Sequence, residues 1–191
     1  MRRKITERLE ESAQVKKVMA KSMVSGIERM ANFIITAYKA GGKVVLFGNG
    51  GSAADAQHIA CELVGRFMLK RQAFPAIALN TDTSTLTAVA NDCGYETVFS
   101  RQVEALVNEK DVVIGISTSG DSPNVLEAIK LAKAKGAKTI GLTGGSGGKL
   151  ATVADLVLAV PSDSTPRIQE AHITIGHIAC ELVEKELSDT G

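Results

Sequence analysis

Apolar side chains recur every three or four positions along the first stretch of the chain: Ile5, Leu9, Val15, Val18, Met19, Met23, Ile27, Met30, Ile34 and Ile35. That period gathers them on one side of a helix. Residues 1–40 are therefore predicted to form one or two amphipathic helices, with Gly26 the one position offering a break. From Gly42 the pattern changes to short, nearly continuous apolar runs at 43–47, 76–79, 111–117, 138–143 and 156–161. Runs of that length, rich in Val, Ile and Leu, suit strands of a parallel sheet buried on both faces. Helix signals lie between them. Ser52-x-x-Asp55 has the form of a capping box opening a helix to about Arg66. Ser122-Pro123 and Thr165-Pro166 each place a cap before a proline. The helices they start run to Lys135, with Gly136 just past the end, and to about Leu187. The alternation predicts an α/β chain, with a parallel sheet of about five strands flanked by helices and an N-terminal helical extension. No repeat or low-complexity linker divides it, so residues 1–191 read as one domain, with helices over 1–40 and an α/β core over 41–191.

Composition narrows the function. The 191 residues carry 22 basic and 21 acidic side chains, a formal charge of +1. No polybasic field is present to attract nucleic acid or an anionic membrane, whereas a small anion needs only local donors. No run approaches the ~18 apolar residues of a membrane span. The charged start lacks the apolar core of a signal peptide. Cys61, Cys93 and Cys180 are odd in number and widely spaced, the pattern of reduced structural thiols in a cytoplasmic protein.

Ligands of an open parallel sheet sit beyond the carboxyl ends of its strands, and two loops there have suitable chemistry. Ser117-Thr118-Ser119-Gly120-Asp121-Ser122 places four hydroxyls and a glycine ahead of a helix N-terminus. Free backbone N–H groups and the helix dipole favour an anion at such a point, and neutral hydroxyls can saturate phosphate oxygens without a lysine. An ordinary Ser-capped turn is the plainer reading; the density of hydroxyls favours phosphate. Gly48-Asn49-Gly50-Gly51-Ser52-Ala53 has the Gly-x-Gly-x-x-Ala form of a dinucleotide loop. That fingerprint requires an acid about twenty residues on, where this chain has Met68-Leu69-Lys70-Arg71. The glycines from Gly144 to Gly148, with Lys149, fail as a P-loop because Thr143 and Leu150 stand where a glycine and a hydroxyl are required.

His58, Glu62 and Arg66 fall at i, i+4 and i+8, one stripe of a helix. His58 and Glu62 can reach one metal ion from successive turns, and Glu62 is a candidate base. A solvated stripe with Glu62 paired to Arg66 is the alternative. The last helix carries Gln169, Glu170, His172 and His177. Gln169 and His177 differ by about 80° around it and ~12 Å along it. They can touch one centre only with extended side chains, or across two subunits. His172, on the other side of Gln169, reads as structural or as a support behind the site residues.

Five segments, taken as a set, carry a resemblance. They are Phe47 through Ser52, Ala56-Gln57-His58 with Glu62, Ala90-Asn91-Asp92, Gly115 through Asn124, and Arg167-Ile168-Gln169-Glu170 through His177. They resemble the phosphoheptose (sedoheptulose 7-phosphate) isomerase family of the sugar-isomerase, or SIS, class over nearly the whole chain. The resemblance implies a three-layer SIS fold and a homotetramer with active sites at subunit interfaces. It also implies one zinc ion per subunit, and conversion of D-sedoheptulose 7-phosphate to D-glycero-D-manno-heptose 7-phosphate toward bacterial surface heptose. By matching motifs, Asn49, Gly50, Gly51, Asn91 and Asp92 are expected to contact substrate. Ser117, Thr118, Ser119 and Ser122 are expected to hold its phosphate. His58, Glu62, Gln169 and His177 match zinc ligands, and Glu62 and His177 match proton-transfer residues. Moving a proton between C1 and C2 through an enediol needs a base, an acid partner and stabilised negative charge on oxygen, which these residue types supply. One rival is a non-catalytic SIS adaptor that binds the replication initiator, a branch lacking the acid and histidine that stand here as Glu62 and His177. The other is an isomerase of a different phosphosugar, since no spacing sets sugar length.

Overall fold

Five strands, β1 (Val44–Gly48), β2 (Ala76–Ala78), β3 (Val112–Ile116), β4 (Lys138–Gly144) and β5 (Leu156–Val160), form the sheet expected from the apolar runs. All neighbours pair in parallel, in the order β2-β1-β3-β4-β5. The computed structural model describes residues 1–188, and these include the helices α1 (Arg2–Ser22), α2 (Val24–Lys39), α3 (Gly51–Val64), α4 (Thr83–Cys93), α5 (Ser100–Leu106), α6 (Pro123–Ala134), α7 (Leu150–Val153) and α8 (Thr165–Ser188). Alternate strand residues face opposite layers. Val44 and Leu46 join Ile34, Ile59, Ile168 and Ile175 in the core under α2, α3 and α8. Val45 and Phe47 join Phe99, Val103, Val125 and Ile129 under α5 and α6. The result is three layers, with each strand read correctly to within one residue of its ends.

Register decides where the loops emerge. β1 and β3 pair from Val44↔Val112 to Gly48↔Ile116, so the segments leaving both strands rise side by side. Strand order reverses between these two strands, which makes their carboxyl ends the switch point where such sheets open a crevice.

Of four local expectations, three are corrected, and the Ser122-Pro123 start of α6 holds in position. The N-terminal helix does not break at Gly26, which lies inside α2; a Cβ there would come 2.5 Å from Leu158 Cδ2, so the glycine serves close packing on β5. The break falls at Met23, between α1 and α2. The Ser52/Asp55 capping box does not form. Gly50, at φ 57°, is the N-cap, which starts the helix early enough to bury Ser52 at N2 and carry Asp55 past the first turn. At α6, Ser122 occupies the N-cap and Pro123 follows it, but the Ser122 hydroxyl bonds Ser117 Oγ at 2.9 Å instead of a helix N–H. Helix α8 already includes Thr165, so its cap position precedes the residue expected. Residues 83–106, to which the apolar pattern assigned no element, fold as α4, a short 3-10 turn (Tyr95–Thr97) and α5.

Candidate active site

Three side chains converge where α3 passes α8. His58 Nε2 lies 3.1 Å from Glu62 Oε1, and His177 Nε2 lies 3.3 Å from His58 Nε2, with the two rings edge-on at 5.0 Å. Successive turns of α3 supply the first two, as the i, i+4 spacing predicted; Glu62 turns to His58 rather than to Arg66. The third arrives from 119 positions further on because α8 packs closely against α3. Gly176 permits that approach, since a Cβ on it would stand 2.6 Å from Ile59 Cδ1. The ligand atoms of His58, Glu62 and His177 all lie within 4.8 Å of one another, so these three residues could share a metal ion. Gln169 also lies on the α3 side of α8, its carboxamide resting against Gly51, the first residue of α3. Among the described residues it bonds to none of the three.

The two loops at the switch point are bolted together. Asn49 and Asn124 exchange a pair of amide hydrogen bonds at 2.9 Å, and the Tyr95 hydroxyl donates to Asn49 Oδ1 at 3.1 Å. Asn80 grips both backbone groups of Gly48, accepting from its N–H and donating to its carbonyl. Across the crevice, Ser117 Oγ bonds Ser122 Oγ, and Ser119 Oγ accepts the Asp121 N–H at 3.2 Å. Backbone contacts lock this hydroxyl loop to the next: Gly144 N–H donates to the Thr118 carbonyl and Leu150 N–H to that of Gly120. In the first turn of α6, Pro123 has no N–H and Val125 donates to Asn124 Oδ1 at 3.0 Å, so the Asn124 N–H is the donor that this turn can offer an anion. Asn91 and Asp92 sit on the last turn of α4, exposed; Asn91 Nδ2 donates to Asp92 Oδ1 at 2.8 Å, and neither bonds another member of the set.

Comparison with known proteins decides the family. The SIS domain family matches residues 9–144. The phosphoheptose isomerase of Citrifermentans bemidjiense is 55% identical over 183 residues, covering 96% of this chain and 95% of its own. That of Aquifex aeolicus is 56% identical over 185 residues, covering 97% of each. The chain belongs to the phosphoheptose isomerase family. The solved phosphoheptose isomerase of Neisseria gonorrhoeae shares its fold at a TM-score of 0.91 and 42% identity, covering 96% of this chain and 98% of that one.

Within this phosphoheptose isomerase fold, the residues that sequence reading passed over are the fasteners. Asn124 had a legible signal: it is a polar residue four before Ala128 on the buried stripe of α6, and it is itself 2% exposed. Tyr95 and Asn80 had none, because their partners are distant in sequence. Of the thiols, Cys180 is buried and burial pushes it up to about 12, so it is inert. His172 proves structural, as expected. It is fully buried, its Nε2 donates to the Thr143 carbonyl at 3.0 Å, and its Nδ1 has no hydrogen-bond partner among the described residues. Burial lowers its pKa to about 4, against a weaker opposing effect of the Thr143 bond. The unfolded chain takes up this proton below about 6.5 and the folded chain only below about 4, so the imidazole's contribution is complete above pH ~6.5 and is lost as pH falls toward 4. The loss amounts to about 3 kcal/mol. Denaturant midpoints across that window should fall steeply for the wild type. They should fall less for His172→Gln, whose carboxamide donates without titrating.

Proposed function

We propose that the chain isomerises D-sedoheptulose 7-phosphate to D-glycero-D-manno-heptose 7-phosphate through an enediol, in the cytoplasm, toward the heptose of bacterial lipopolysaccharide core and surface glycans. The observation that carries this reading is the meeting of a carboxylate, Glu62, with an imidazole, His177, through His58. Glu62 takes the carbon-bound proton, and His177 moves protons on the hydroxyl oxygens. The hydroxyls of Ser117, Thr118, Ser119 and Ser122, with the N-terminus of α6, hold the phosphate. Asn49, Gly50, Gly51, Asn91 and Asp92 contact the sugar, with Glu62 and Gln169 at the reacting end. The adaptor reading loses ground because the acid and histidine are present and adjacent.

His58, Glu62, Gln169 and His177 would hold one zinc ion. Zinc bonds nitrogen and oxygen at about 2.0–2.2 Å, which makes a tetrahedral edge of roughly 3.3–3.6 Å. The 3.1 and 3.3 Å separations of His58 from Glu62 and His177 are close to that edge, and all three ligand atoms lie within 4.8 Å of one another, which supports an ion among these three, with Gln169 resting against Gly51 beside them. When bound, it would polarise the carbonyl and hydroxyl oxygens of the sugar. Metal analysis of protein purified without added zinc, paired with activity after chelation, tests the assignment.

The reading includes a homotetramer with sites at subunit interfaces. In support, Ile5, Leu9, Val24, Ile178 and Leu182 are exposed on the single chain, and an apolar groove of about 550 Å³ runs between α1, α2 and α8. The N-terminal helices and the α/β core belong to one SIS domain on this reading, supported by the packing of Met30 and Ile34 in the same core as Leu46 and Ile168. A direct assay of D-sedoheptulose 7-phosphate against shorter ketose phosphates tests the substrate. Preference for the seven-carbon sugar is expected; turnover of the shorter sugars alone would overturn it. Ser119→Ala should weaken binding of phosphorylated sugars by ~1 kcal/mol or more, the worth of one bond to a charged group, in a titration with substrate.

A further inference from the structure

We infer that the buried pair Arg71–Glu184 is a positioning device for Glu62 and His177, an inference that rests on the site reading above. Glu184 stands seven residues after His177 on α8, so it lies on the same stripe, about 20° and ~10.5 Å away. Its carboxylate accepts the backbone N–H groups of Phe67, Met68 and Leu69 at 3.0, 2.7 and 2.8 Å, and Arg71 Nε at 2.9 Å. Arg71 in turn directs two further bonds to the end of α3, while its Nη1 also donates to the neighbouring Gln72 carbonyl at 2.9 Å. Its Nη2 bonds the carbonyl of Glu62 at 2.8 Å and its Nη1 that of Leu63 at 2.9 Å. Carbonyls in the last turn of a helix have no partner within the helix, so these bonds hold in place the very turn that carries the base.

The other arm of the device reaches the imidazole. Phe67, whose N–H Glu184 anchors, lays its ring against that of His177 at 5.4 Å and 33°. One ion pair thus holds the backbone under Glu62 and the ring beside His177. Side-chain exposures of 5% for Arg71 and 2% for Glu184 keep water from exchanging into these bonds. Neither residue belongs to the hydroxyl loop that grips phosphate. Loosening the pair should therefore misplace the reacting groups and leave substrate binding in place, a pattern that separates positioning from a purely structural role.

The test compares Arg71→Lys, Glu184→Gln and Phe67→Leu with the wild type and with Glu62→Gln. All are assayed with D-sedoheptulose 7-phosphate well below their melting midpoints, so that the folded fraction is constant. Arg71→Lys keeps the charge but loses the fork that spans two carbonyls. Glu184→Gln keeps the shape but loses one acceptor oxygen. Each should lower kcat by about tenfold to a hundredfold, with KM within about threefold of wild type. Folded variants that melt lower yet turn over at the wild-type kcat, beside an inactive Glu62→Gln, would overturn the inference and leave the site reading standing. Full activity in Glu62→Gln would overturn both. If neither charge variant folds, Phe67→Leu decides: a lowered kcat at constant KM supports the device, and an unchanged kcat refutes it.

Discussion

Glu62→Gln removes isomerisation, lowering kcat by about 10²- to 10⁴-fold, the usual worth of a positioned general base. The amide has the same shape as the acid, and its oxygen can still accept from His58, which now lies 3.1 Å from Glu62 Oε1. What it lacks is a basic oxygen. Fold and substrate binding should therefore persist, with the far-ultraviolet circular dichroism and the melting midpoint close to those of wild type. Steady-state kinetics with D-sedoheptulose 7-phosphate read the loss. Activity within a few-fold of wild type would remove Glu62 from the mechanism.

Gly120→Ala should raise KM for the sugar phosphate by about 10²-fold or more, well beyond the effect of Ser119→Ala. Gly120 has φ 71°, a left-handed conformation that costs an L-residue about 1–2 kcal/mol. Its position is also filled from outside: a Cβ would overlap the Gly147 carbonyl and stand 2.9 Å from Thr143 Oγ1. The overlap is with backbone, which cannot swing aside as a side chain can. From the facing loop, a Cβ on Gly148 would overlap the Ser119 carbonyl and stand 2.8 Å from the Gly120 carbonyl carbon, so the two glycines let the hydroxyl loop and the 144–150 loop nest. A methyl group must push them apart and carry Ser117, Ser119 and Ser122 with them. Two lost bonds to a charged phosphate, at about 1.5–3 kcal/mol each, account for the factor. A KM within threefold of wild type would show that the hydroxyl loop is not what holds the phosphate.

The strands were legible because they are buried on both faces, and a run such as Val112 to Ile116 must then be apolar throughout. The region from Thr83 to Leu106 was not, because α4 is only half-covered and buries none of its residues fully, which erases the apolar stripe a helix normally shows. The capping box misled for a related reason. Ser52 and Asp55 have the right spacing, but the turn out of β1 requires positive φ at Gly50, and that backbone demand sets where α3 begins. Asp55 is left half-buried with one carboxylate oxygen unpartnered among the described residues, and burial raises its pKa, with nearby His58 opposing. Gly26 and Gly176 look alike in sequence as breaks in helical runs. Each instead marks a place where a helix lies close to a neighbour, Leu158 in one case and Ile59 in the other.

Local pattern by itself determined the alternation of strands and helices, the pairing of His58 with Glu62 on one face, and the hydroxyl loop ahead of α6. Those features depend only on residues a few positions apart, where backbone geometry dictates who is near whom. Tertiary structure alone decided that His177 joins His58, that Asn49 locks to Asn124, and that Glu184 seizes the backbone after α3. Each of those contacts joins residues far apart along the chain. No local rule fixes such a distance, because it follows from how closely α8 settles on α3 and how β1 registers against β3.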